Sequence, residues 1–135
     1  MNQSSRAHVW LAQAANDAEH ARYSKEGDFY AQACYAAQQA VEKALKALLL
    51  HAGGEAGRTH SVVGLRRNLE QVGIAIPDEI MSLADAQDLT RVNIETRYPL
   101  GDAEDPPYEL FGAEQAERLV TIAERVLSMT KELLS

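Results

Sequence analysis

Cysteine is almost missing from this chain: Cys34 is the single one in 135 residues. No internal disulfide can form, and no paired-cysteine metal site exists. Cys34 lies among Ala33, Tyr35, Ala36 and Ala37, a setting for a buried, inert thiol rather than a nucleophile. Long hydrophobic runs are missing too. The strongest apolar stretch, Ala44 to Leu50, is interrupted by Lys46 and is far too short to cross a bilayer. The first residues, Met1-Asn2-Gln3-Ser4-Ser5, lack the basic start and apolar run of a secretory signal, so the expected setting is cytoplasmic, with no membrane contact. An excess of positive charge is also lacking. The net charge is −7, and it is uneven: residues 101–135 carry three basic and eight acidic groups. Broad electrostatic capture of nucleic acid needs the opposite balance, although a local basic pocket is compatible with it.

What the chain does have is the composition of a single water-soluble globule, 46% hydrophobic and 24% charged. Its length suffices for one core without disulfide or metal support. The apolar spacing is helical throughout. Ser4 or Ser5 can cap a first helix reaching Ser24, with Ala7, Trp10, Leu11, Ala14, Ala18 and Ala21 on one face. Glu26-Gly27-Asp28 then forms a turn, with Gly27 suited to positive φ and Asp28 placed to cap the second helix. The segment from Phe29 to His51 contains neither glycine nor proline and is rich in Ala, Leu, Gln, Glu and Lys, so it is the strongest helix of the chain. Gly53-Gly54 stops it.

Thr59 or Ser61 can cap a short third helix carrying Val62, Val63, Leu65, Leu69 and Val72, ended by Gly73. A fourth is expected from Pro77, with Ile80, Leu83, Ala84, Leu89, Val92 and Ile94 inward, a break near Asp88, and an end at Arg97-Tyr98-Pro99. Residues 100–112, with two glycines, two adjacent prolines and four acids, read as a long loop. A last helix runs from Ala113 to Leu134 with Ala116, Leu119, Val120, Ala123, Val126, Leu127, Thr130 and Leu134 in its stripe. The fold class is therefore all-α, a helical bundle in one domain spanning residues 1–135.

Little of the usual catalytic apparatus is visible. The four histidines, His8, His20, His51 and His60, lack paired ligand spacing, so no metal and no cofactor is expected. The link Gly53 to Thr59 has no phosphate-cradling lysine. The polar residues that could bind a ligand are few. Arg97 offers a guanidinium to phosphate oxygens, and Tyr98 a ring face and a hydroxyl. A helix-end arginine is also favourable with no ligand at all. His60 brings an imidazole, the side chain most used for acid–base work, against the plainer role of a structural hydrogen bond. Lys43 and Lys46, three apart with Gln39 and Glu42 nearby, read by default as solvated charge.

The ordered set Gln38-Gln39-Ala40-Val41-Glu42-Lys43-Ala44-Leu45-Lys46-Ala47-Leu48, then His60, then Arg97-Tyr98-Pro99, resembles the HEPN family across nearly the whole chain. The resemblance implies an up-and-down bundle of four to five helices, a homodimer, and a polar groove near the dimer axis that Lys43 or Lys46 would line. It implies either a protein that binds nucleotides and pairs with a minimal nucleotidyltransferase in a toxin–antitoxin-type pair, or a metal-independent ribonuclease acting on RNA. Members of the ribonuclease branch carry an arginine followed four to six residues later by a histidine. No arginine precedes any of the four histidines here by that interval, so the nucleotide-binding reading leads and a nuclease built on Arg97 with Tyr98 or His60 stands second. A helical adaptor without a small ligand is the third reading.

Overall fold

The computed structural model describes residues 2–95 and 107–135. Five α-helices form among them: α1 (Gln3–Glu26), α2 (Tyr30–His51), α3 (Val62–Gln71), α4 (Leu83–Glu95) and α5 (Ala113–Leu134), with a single 3₁₀ turn, Pro107–Leu110, ahead of the last. No strand is present among the described residues. The result is the all-helical bundle that the periodicity implied.

Helix α2 is the axis of this bundle and touches each of the other four helices. Its Ala- and Leu-rich sequence is buried over most of its length, which is where a helix apolar on most of its circumference belongs. Against it lies α1, whose inward residues are the small side chains Ala7, Ala14, Ala18 and Ala21, all at most 4% exposed. Facing alanines let the two helix backbones approach closely. Bulkier residues of α3, α4 and α5, including Leu65, Leu69, Leu89, Leu119, Val120 and Val126, close the other side. Two arginine clasps tie the layers at the surface. Arg22 of α1 reaches Glu124 at 2.7 Å and Glu117 at 2.6 Å on α5, and Arg118 of α5 reaches Asp85 at 2.7 Å and also Asp88 on α4. Exposed pairs of this kind add little individually. The hydrogen bond from Arg22 also holds the Glu117 carboxyl below its ordinary range.

Several local expectations are corrected. The cap of α1 is Asn2, whose Oδ1 accepts from the Ser5 amide at 2.8 Å, and not Ser4 or Ser5. In the α1–α2 turn the left-handed residue is Asp28 at φ +66°, while Gly27 sits at −88°. Asp28 does not cap α2; its carboxylate accepts from the Tyr30 hydroxyl at 2.9 Å. Asp is among the few non-glycine residues that tolerate this conformation. The third helix is capped by Ser61, which accepts from the Gly64 amide at 3.0 Å. The fourth starts at Leu83 rather than near Pro77, because Ser82 and Asp85 form a reciprocal pair. The Ser82 amide donates to Asp85 at 3.0 Å and the Asp85 amide to Ser82 Oγ at 3.1 Å, a capping box that fixes the start. No break occurs at Asp88.

Cys34 is wholly buried. Desolvation pushes its thiol up to about 12, and the Arg118 charge only partly opposes this. Below about pH 8.5, the ordinary thiol value, the group is neutral in folded and unfolded chains alike. Above it the unfolded chain ionises first. Stability should therefore fall as pH rises from there toward 12, and Cys34→Ala should flatten that limb in urea titrations. In the native protein near neutral pH, a thiol-labelling reagent should react only at the rate of global unfolding.

Candidate functional site

An α-helix brings residues four apart onto one line, and on α2 that line reads Gln38, Glu42, Lys46. All three are polar and nearly devoid of solvent contact, at 0%, 3% and 4% exposure. Long charged side chains are seldom buried without partners, so each must be accounted for. The Glu42 carboxylate is shared. Its Oε1 lies 2.7 Å from His60 Nδ1, and its Oε2 lies 3.9 Å from Lys46 Nζ. The Lys46 ammonium sits 5.3 Å from the centroid of the Trp10 indole on α1, a cation–π contact strengthened by burial. At the other end, Gln39 donates to Gln38 Oε1 at 2.7 Å and Gln38 donates to the His60 carbonyl at a long 3.5 Å. The row thus runs unbroken from the loop residue His60 to Trp10.

His60 is the exposed terminus, with 60% of its side chain in solvent against 3% for Glu42. An ionised carboxylate only accepts, so the ring must carry its hydrogen on Nδ1. With Nδ1 engaged in that bond, Nε2 is the ring nitrogen left for a ligand or a proton. Lys43 belongs elsewhere. Its ammonium pairs with Asp17 of α1 at 2.7 Å in a half-buried bridge, which neutralises the point charge that a phosphate would need. Of the five candidates from the sequence, the structure brings together Lys46 and His60, through Glu42. It sets Lys43 apart. Arg97 and Tyr98 lie outside the described residues.

Beside the Trp10 end of the row is a cavity of about 350 Å³, lined by Arg6 and Trp10 of α1, Leu50 of α2, and residues 54–57 of the glycine link. Leu50 is the next position on the Gln38, Glu42, Lys46 line, so the buried row leads toward this cavity. Sequence reasoning assigned Trp10 to the core stripe and the link to a connector, and passed over Arg6. No group of three or more potential metal ligands is found among the described residues, nor a helix long and apolar enough to cross a membrane.

The HEPN domain model matches residues 7–133, almost the full chain and with it every residue of the row. The chain belongs to the HEPN family. Among solved structures, this HEPN chain is 35% identical to TT1696 from Thermus thermophilus, with a TM-score of 0.84 and 98% of each chain covered. It is 34% identical to ST0689, an archaeal HEPN homologue, at a TM-score of 0.75, with 96% of this chain and 98% of that one aligned. A HEPN domain protein from Thermotoga maritima, TM0613, is 32% identical at a TM-score of 0.72, covering 94% of this chain and 98% of its own. No curated protein matches.

The shared carboxylate should be the costliest polar residue to remove from this HEPN domain. Glu42→Ala leaves a buried, unpaired Lys46 and is expected to lower stability by roughly 3–5 kcal/mol. Glu42→Leu combined with Lys46→Met removes both charges and should recover most of that loss. Urea unfolding of the three proteins measures both quantities. A Glu42→Ala protein as stable as the wild type would contradict the network.

Proposed function

We propose that this HEPN protein is a nucleotide-binding and interaction module that works as a homodimer with a minimal nucleotidyltransferase, and that it is not a ribonuclease. The observation carrying this reading is the row Gln38, Glu42, Lys46, enclosed in the core yet opening to solvent at His60. A buried ion pair is a poor device for stability alone, because desolvation offsets its attraction. An imidazole held by a buried carboxylate presents Nε2 outward, to accept from a ribose hydroxyl or, when protonated, to donate to a phosphate. The ligand contacts in this reading are His60, with Lys46 acting only through Glu42, and Arg97 and Tyr98. Lys43 contributes only by switching from Asp17. Two features weigh against nuclease action. The arginine and histidine pair of the ribonuclease branch is missing from the sequence, and the chain is acidic, which disfavours extended RNA tracking.

A thermal-shift screen with adenine, guanine, uracil and cytosine nucleotides tests it. At about 100 times its dissociation constant a bound nucleotide should add roughly 2.7 kcal/mol, a shift of several degrees for a chain of this length. The shift should shrink in His60→Ala and Arg97→Ala. Co-expression with a minimal nucleotidyltransferase encoded beside it should yield a stable complex. No shift with any nucleotide and no complex would overturn the proposal, as would cleavage of single-stranded RNA in excess chelator that Arg97→Ala abolishes.

A further inference from the structure

We infer that the cavity between the start of α1 and the glycine link after α2 is a binding site for a guanine mononucleotide. The inference rests on the nucleotide-binding reading above, and it supplies the base and a second place for it, beside Trp10 rather than on His60. The volume, about 350 Å³, lies at the lower end of the range for small-ligand pockets, roughly 300–1,000 Å³. That is enough for a single nucleotide.

The walls carry three different kinds of recognition. Trp10 gives a planar aromatic surface that any nucleobase can stack upon. Its indole is held from within by the Lys46 ammonium, 5.3 Å from the ring centroid. Lys46 itself does not line the cavity, so its part is to fix the ring. Arg6 and Glu55 supply opposite charges on the same cavity. Both are exposed, and neither side chain has a hydrogen-bond or ion-pair partner among the described residues. An arginine and a glutamate that share a cavity without pairing suit a ligand that separates an anionic end from a donor-rich end. Arg6 can grip phosphate oxygens through its fork of N–H groups. The link adds backbone: the amides of residues 55–57 donate to no backbone acceptor among the described residues, and Gly57 holds φ +68° with open space where a Cβ would lie.

The carboxylate chooses the base. An ionised Glu55 only accepts, with two oxygens side by side. Guanine presents two adjacent donors, the ring N1–H and the exocyclic amine, which match that pair. Adenine and cytosine set a ring acceptor beside their amine, and uracil flanks its one donor with carbonyls. Each of those would turn a lone pair toward the carboxylate and lose the second hydrogen bond. Once a stacked base shields the carboxylate from water, the wrong base leaves groups unpaired, and the discrimination is strong.

Trp10 is the chain's single tryptophan, so its fluorescence reports on this cavity alone. Titration with guanosine 5′-monophosphate should quench it saturably. Adenosine 5′-monophosphate should bind roughly ten- to a hundredfold more weakly. Arg6→Ala should weaken guanosine 5′-monophosphate by roughly tenfold or more while leaving guanosine nearly unaffected. Glu55→Gln should bring the two monophosphates to similar affinity. Both substituted residues are exposed, so unchanged melting temperatures of the ligand-free variants would show that the fold is intact. Equal affinity for the two monophosphates in the wild type overturns the inference. A nucleotide-induced thermal shift that leaves Trp10 emission and the Arg6→Ala protein unaffected also overturns it, while the wider nucleotide-binding proposal survives. Absence of both shift and quenching, with every nucleotide, removes the two together.

Discussion

The Glu42 carboxylate, 3% exposed and divided between His60 and Lys46, is the constraint to which the rest of the molecule conforms. Helix α2 lies at the centre of the bundle, so most of what it carries is buried. Carrying a lysine and a glutamate there requires that each find its partner before the core closes. The glycine link and the segment up to Ser61 have to place His60 over one end of the row. Helix α1 has to bring Trp10 over the other, and it comes close enough because its inward face is alanine. Close packing of α1 on α2 is therefore more than economy of volume. It is what lets the short reach from Lys46 to an indole satisfy a buried ammonium.

This arrangement gives the family likeness a physical content. The residues that carried the resemblance, Gln38 through Leu48 and then His60, are the ones that form the row. A helix that could have been apolar at three successive positions is polar at all of them, and the cost is met by side chains from two other segments. Charge placed in this way is fixed before any ligand arrives, which is the condition for electrostatic recognition without reorganisation. The same row has two ends. His60 stands at one and Trp10, with the cavity beside it, at the other, and Gln38 and Lys46 are roughly 12 Å apart along the helix axis.

Helix existence was legible from apolar spacing, and the bounds of α2 and α5 were readable to within a residue, because neither is ended by competing side-chain chemistry. The errors arose where side chains compete for backbone groups. Pro77 suggested a helix start, but Ser82 and Asp85 satisfy one another's amides and win. Gly27 suggested the left-handed turn residue, yet Asp28 takes it. For the site, spacing alone read Lys43 and Lys46 as a pair three apart. The better signal was period four: Gln38, Glu42 and Lys46 share one line, whereas Gln39 and Lys43 share the next. Nothing local could reveal that Asp17 takes Lys43 or that Trp10 takes Lys46, since both partners come from α1 and are set by tertiary packing.

The row itself can be read directly from the His60 imidazole. Nitrogen-detected NMR of the neutral ring distinguishes which nitrogen holds the hydrogen. A row that reaches the surface through Glu42 predicts hydrogen on Nδ1, facing that carboxylate, and a change of tautomer balance in Glu42→Ala. A ring that carries its hydrogen on Nε2 in the wild type, unaltered by that substitution, would mean that His60 and Glu42 are not partners and that the buried row does not reach the surface.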